Sequence, residues 1–124
     1  MKRKSRTVVI IQARMGSSRL PGKVLERIGR FTLLEHVVRR SRLIRSVDEV
    51  VVATSTSDLD DAIESACVSM AIRCVRGSET DVLARYVLAA AETDAETIIR
   101  VTADCPLLAW EHASEVLAAL HVAD

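Results

Sequence analysis

Val8-Val9-Ile10-Ile11, running directly into Gln12-Ala13-Arg14-Met15-Gly16-Ser17-Ser18-Arg19-Leu20-Pro21-Gly22-Lys23, is the stretch that decides the fold. Four apolar residues without polar alternation read as a strand covered on both faces, the habit of parallel strands. The twelve residues that follow hold three cations, two glycines and two hydroxyls. Glycine lets a backbone come close to a ligand and aim N–H groups at it, and Arg and Lys supply the charge a polyphosphate needs. On composition alone this is an ordinary surface loop; its place directly after a buried strand argues for an anion site. It is not a Walker A loop. There is one residue too many between Gly16 and Gly22, and Val24 stands where the metal-binding hydroxyl belongs.

Two further runs, Val50-Val51-Val52-Ala53 and Ile98-Ile99-Arg100-Val101, also lack alternation and are expected to be covered on both faces. A shorter strand is expected around Ile72 to Val75. Thr32-Leu33-Leu34-Glu35 reads as a capping box opening a helix with Leu33, Leu34, Val37 and Val38 on one side. Ser57 opens a second helix with Leu59, Ile63, Ala66 and Met70 inward. Ser78 with Asp81 opens a third with Val82, Leu83, Tyr86, Val87 and Ala90 inward, and Trp110 to Leu120 is a fourth. The alternation predicts an α/β, doubly wound parallel sheet with right-handed crossovers, binding its ligand past the carboxyl ends of the strands. The loops to watch are 12–23, 54–57, 76–81 and 102–107.

The 124 residues, 49% hydrophobic and 27% charged, fit one globular domain over 1–124 with a basic, flexible start at 1–6. Net charge is zero but uneven: residues 1–45 carry 13 of the 17 Lys and Arg and only Glu26 and Glu35 as acids. That asymmetry points to an anion handled by the first third, with two oppositely charged solvated faces as the plainer alternative. Nucleic acid is disfavoured as a partner, because one Trp, one Tyr and one Phe offer bases little to stack on. Cys67, Cys74 and Cys105 form no CxxC pair, which fits a reducing, cytoplasmic setting. The apolar run after the basic start is too short for a signal core or a membrane span. His36, His112 and His121 have no partners at ligand spacing and read as surface or packing residues.

Ile11 to Leu25 resembles the signature loop of the cytidylyltransferase family that includes the acylneuraminate and 3-deoxy-manno-octulosonate enzymes, and most of all its spore-coat polysaccharide branch. The resemblance implies a Rossmann-like nucleotide-diphospho-sugar transferase fold, with about four βα units present here. It implies that the loop wraps the triphosphate of CTP. Arg14, Arg19 and Lys23 would neutralise charge, and Ala13, Gly16 and Ser17 would give backbone or hydroxyl contacts.

Val51 to Thr56 is similar to the family's second strand end, although Thr54 and Ser55 are more ordinarily helix caps. Arg76-Gly77-Ser78-Glu79-Thr80-Asp81 resembles the loop that faces cytosine in relatives. This implies Arg76 as donor to the base O2 and N3 with Ser78 beside it. In the alternative, Ser78 and Asp81 only cap the helix and Arg85 pairs with a surface acid. Arg100 to Leu107 is similar to the fourth strand end, where the family's Asp coordinates Mg2+, implying Asp104 as metal ligand. Pro106 would set that turn and Cys105 fill space, while Arg100 would orient Asp104 or touch phosphate.

The resemblance implies CMP transfer from CTP to an acidic sugar in polysaccharide synthesis, with Arg14, Lys23 and Asp104 carrying the chemistry and a second copy of the chain as partner. It spans roughly residues 7–120 but only the first half of a typical member, whose remainder holds the sugar pocket. Two alternatives stay open: a related nucleotidyltransferase using another base or a hexose phosphate, and a nucleotide-binding module without catalysis.

Overall fold

The computed structural model describes residues 5–16 and 22–103. Residues 1–4 of the basic start, Ser17, Arg19, Asp104, Cys105, Pro106, His112, His121 and the helix expected over 110–120 lie outside the described residues. Strand β1 (Thr7–Gln12) leads through a 3-10 turn (Lys23–Leu25) and a small hairpin, β2 (Arg27–Ile28) with β3 (Phe31–Thr32), into helix α1 (Leu33–Ser41). Strand β4 (Glu49–Ser55), a 3-10 turn (Asp58–Asp60) and helix α2 (Asp61–Ser69) follow. Strand β5 (Arg73–Gly77), helix α3 (Val82–Thr93) and strand β6 (Thr97–Thr102) complete the described chain.

The four long strands are all parallel, in the order β5-β4-β1-β6. Successive side chains of β1 point to opposite faces, and both faces are covered. Val9 and Ile11 pack with Leu34, Val37 and Val38 of α1 and Ile63 and Cys67 of α2. Val8 and Ile10 pack with Val51, Ala53 and Val75 beneath Tyr86 and Ala89 of α3. Burying each of these four β1 side chains contributes about 1.5–3 kcal/mol relative to exposure, which is why these four positions are apolar. The doubly wound α/β reading therefore holds.

Three expectations need correction. β6 is covered on one face only among the described residues, since Ile98 and Arg100 are exposed where Ile99 and Val101 turn inward. In α3 the buried residues are Arg85, Tyr86, Ala89 and Thr93, while Leu83 and Val87 face out. In the second helix Ile63 is buried as expected, but Leu59 is exposed, and Asp60 before the helix and Cys67 within it are buried. Helical spacing marks a stripe; which neighbouring stripe docks is settled by the crossover onto the sheet.

Thr32 caps α1 as expected, Ser57 caps the 3-10 turn before α2, and α3 is capped by Asp81 rather than by Ser78. The Glu35 N–H donates to Thr32 Oγ1 at 3.1 Å, Leu59 N–H to Ser57 Oγ at 3.3 Å and Ala84 N–H to Asp81 Oδ1 at 3.0 Å. The Glu35 carboxylate turns to Arg39 at 3.0 Å. The β2–β3 hairpin, turning at Gly29 with φ 69°, had no sequence signal beyond that glycine. His36 packs there as expected, its Nε2 2.7 Å from the Ile28 carbonyl and its ring edge-on to Phe31. No helix among the described residues is long and apolar enough to cross a membrane.

Candidate nucleotide site

Because all four strands run the same way, their following loops meet at one edge of the sheet. The register sets Gln12 beside Ala53 and Thr102, and Ser55 beside Gly77. Residues 13–16, 56–60, 78–81 and 103 therefore form a single mouth, as expected of ligand-binding α/β sheets.

The loop after β1 closes on itself. Gly22, in the left-handed region at φ 77°, donates its N–H to the Met15 carbonyl at 2.8 Å. That bond returns the chain to Met15, and Lys23, the next residue, opens the 3-10 turn. Arg14 is half-buried, with its Nε enclosed and without an acceptor among the described residues. Ala13 is buried and its N–H already donates to the Ala53 carbonyl at 3.1 Å, so only its carbonyl remains for a ligand. Elsewhere in the basic first third two of the cations are used structurally: Arg6 bonds Glu49 at 2.7 Å, and Arg39 stacks on Phe31 at 3.8 Å as well as pairing with Glu35.

Asp60 organises the mouth. Only 2% exposed, it accepts the Met15 N–H at 2.8 Å and the Ser55 hydroxyl. Burial pushes its carboxyl up, but the Met15 N–H and the Ser55 and Thr54 side chains outweigh burial and hold it below the usual carboxylate range. Ser55 also accepts the Ser57 N–H at 3.1 Å, so it is a strut rather than a helix cap.

Arg76 lies with its guanidinium on protein acceptors. Nε donates to the Ser55 carbonyl at 2.8 Å and Nη2 to the Ser57 carbonyl at 2.7 Å, and Nη1 reaches Asp61 at 2.8 Å and Glu64 at 3.3 Å. This geometry straps β5 to the turn before α2 and differs from the free donor expected for a base. Ser78 forms the turn before α3, its hydroxyl accepting the Asp81 N–H at 3.0 Å and its carbonyl facing Arg85.

Arg85, which the alternative reading pairs with a surface acid, is 1% exposed, with Nη1 3.3 Å from the Ser78 carbonyl and Nε and Nη2 without acceptors among the described residues. Burial and then the Arg14 charge pull its pKa down, against the opposing charge of Asp60. Next to it, the Tyr86 hydroxyl donates to Gln12 Oε1 at 3.2 Å, and Arg100 lies over the Tyr86 ring at 4.4 Å rather than in the strand interior.

Asp60, Arg85 and the Gln12–Tyr86 pair were missed as site residues. For Asp60 and Arg85 the available signal was a charged residue on the stripe that also carries Ile63 and Cys67, or Ala89.

Among the described residues no three His, Cys, Asp or Glu gather to hold a metal ion. Asp60, the buried acid of the mouth, has both oxygens engaged. The described residues therefore do not make a magnesium site, and Asp104 lies outside them.

The sequence matches the cytidylyltransferase family over residues 8–124. Spore coat polysaccharide biosynthesis protein SpsF of Bacillus subtilis (strain 168) is 45% identical over 103 residues, which are 80% of this chain and 43% of that protein. A cytidylyltransferase structure from Leptospira borgpetersenii serovar Hardjo-bovis (strain JB197) superposes with TM-score 0.88 at 32% identity, over 98% of this chain and 50% of that one. CMP:2-keto-3-deoxy-manno-octonic acid synthetase complexed with CTP is similar at TM-score 0.79 and 27% identity, over 94% of this chain and 47% of that one. The chain thus spans about half the length of the relatives it matches. With the strand order, the mouth and a match that runs through nearly all of its length, this chain belongs to the cytidylyltransferase family.

Proposed function

We propose that the protein transfers CMP from CTP to a hydroxyl of an acidic sugar, releasing pyrophosphate, in the synthesis of a surface or spore-coat polysaccharide. The observation that supports this reading is the closure of the loop after β1 by the Gly22–Met15 backbone bond, with Arg14 next to Met15 and Lys23 next to Gly22 in the chain. The acid named in one solved relative and the spore-coat role named in another support the acceptor class.

In this reaction the sugar oxygen attacks the α-phosphorus, the bond to the β-phosphate oxygen breaks, the hydroxyl proton goes to solvent and pyrophosphate leaves. Little covalent help is needed, so the protein's part is to position the groups and to offset charge on the leaving pyrophosphate. Arg14 and Lys23 take that part here; Ser17 and Arg19 are assigned to the same loop by resemblance. The enzyme works in the cytoplasm, and its partner is a second copy of the chain.

The test is CTP binding followed by thermal shift and calorimetry, with pyrophosphate release measured over a panel of acidic sugars. Lys23→Ala is expected to weaken CTP binding roughly 10- to 100-fold, the size of one charge-assisted contact. Unchanged CTP binding in that variant would remove the loop from the site and the proposal with it.

A further inference from the structure

Cys74 and Arg76 stand two residues apart in β5 and so share one face of the strand. That face is turned to α2, because Arg76 Nη1 reaches Asp61 at 2.8 Å and Glu64 at 3.3 Å. Cys67 follows Glu64 by three residues, one turn further along the same side of the helix. Between the two elements the chain doubles back, with the Ile72 N–H donating to the Cys67 carbonyl at 3.0 Å. Stepping back along β5 from Arg76 therefore matches stepping forward along α2 from Glu64, and Cys74 meets Cys67. Both pack in the cluster beneath α1 and α2, and the Cys67 thiol is hydrogen-bonded to the Cys74 sulfur.

The two thiols differ in access. Cys67 is fully buried, whereas Cys74 is half-buried on β5, the outer strand at one side of the described sheet. A small oxidant reaches Cys74 first. The hydrogen bond from Cys67 outweighs burial and draws the Cys74 thiol down, and the charge of Arg76 acts in the same direction. Thiolate character and access decide which cysteine peroxide attacks, and a second thiol in contact captures the product before it is oxidised further. A buried cysteine by itself is an inert filler; contact with a partially exposed partner makes this one different. In a reducing setting a disulfide formed from such a pair is transient.

We infer that Cys67 and Cys74 are a peroxide-sensitive thiol pair that closes reversibly to a disulfide, tying the last turn of α2 to β5. The Cys74 sulfur attacks one oxygen of hydrogen peroxide and the O–O bond breaks, leaving a sulfenic acid at Cys74 and a hydroxide that takes up the Cys74 proton as water. The Cys67 sulfur then attacks the Cys74 sulfur, the S–O bond breaks and the S–S bond forms. The departing hydroxide takes the Cys67 proton. Two thiols lose two electrons in all, and one peroxide is reduced to two waters.

The test treats the reduced full chain at neutral pH with one equivalent of hydrogen peroxide, blocks the remaining thiols and maps the unreduced peptides by mass spectrometry. A Cys67–Cys74 cross-link, two hydrogens lighter than the reduced peptides and reversed by dithiothreitol, is expected as the main product. In Cys67→Ala the sulfenic acid at Cys74 has no partner and is trapped by dimedone. In Cys74→Ala, dimedone labelling of Cys67 falls at least about tenfold below that level. Both thiols left reduced, Cys74 driven to sulfinic acid while Cys67 stays free, or a disulfide that joins Cys105 or two chains instead would overturn the inference. Should either variant fail to fold, the peptide map of the unsubstituted chain decides alone.

Discussion

The Asp60 carboxylate accepts the backbone N–H of Met15 at 2.8 Å, fastening the loop after β1 to the turn before α2. Its other oxygen takes the Ser55 hydroxyl, so one buried acid joins the first two loops of the mouth. Asp60→Asn keeps the shape but presents a donor to one of these donors. A loss of about 1.5–3 kcal/mol is expected from urea unfolding, the size of a hydrogen bond to a charged group. A midpoint equal to that of the parent would show that the two loops do not depend on this acid.

The same residue sets a pH dependence. Its carboxyl is held below the usual range in the folded chain despite burial, and an unfolded Asp titrates at about 3.9. A depressed folded pKa contributes stability that is fully present above the unfolded value and lost as pH falls through the folded one. Thermal melts between pH 6 and 2 are therefore expected to show a shallower acid decline in Asp60→Asn than in the parent. Parallel declines would assign the acid limb to other carboxylates.

Gly77 faces α3 across a narrow gap. A Cβ there would lie 3.1 Å from Arg85 Cγ and 3.3 Å from Arg85 Cα, and a backbone neighbour cannot swing aside as a side-chain tip can. Gly77→Ala is expected to destabilise by about 1–3 kcal/mol through overpacking, seen as a lower melting temperature. An unchanged melt would mean that α3 shifts outward at no cost.

Arg76 separates support from recognition. Its bonds to Asp61 and Glu64 are exposed on the acid side, with side chains 64% and 50% accessible, and add little. The Ser55 and Ser57 carbonyls would lose a donor, so Arg76→Gln should cost about 1–3 kcal/mol while leaving the CTP-over-UTP ratio as it was. A collapsed ratio with unaltered stability would make Arg76 a base contact.

Cys67 and Cys74 form an unequal pair. The hydrogen bond to Cys74, then burial, pushes the Cys67 thiol up, while that same bond draws the half-buried Cys74 down. Iodoacetamide labelling of the native chain with peptide mapping is expected to mark Cys74 at least about tenfold faster than Cys67. Equal labelling would show that α2 opens from the sheet on the timescale of the reaction.

Much of this molecule was legible in its residues taken in order. Three runs of apolar residues and a shorter stretch around Ile72 to Val75 marked four parallel strands, and Thr32, Ser57 and the Ser78–Asp81 pair marked helix starts to within a few residues, because strand burial and end-capping are local matters of a few neighbouring side chains. The loops expected at the mouth followed, since parallel strands must all end at the same edge.

Which side chains turn into that mouth was decided only in three dimensions. Leu83 and Val87 share helical spacing with Tyr86, yet α3 docks with Arg85 and Ala89 inward, because its crossover lays it over β1, β4 and β5 at a phase set by Gly77 and the sheet. Arg76 is spent on the neighbouring turn because β5 pairs with β4, a contact 21 residues away along the chain. Asp60 meets Met15 across 45 residues because β4 pairs with β1. Spacing along the chain prescribes stripes and ends; only strand order and packing choose the stripe and supply the distant partner, and on that choice the position of every charge in the site depends.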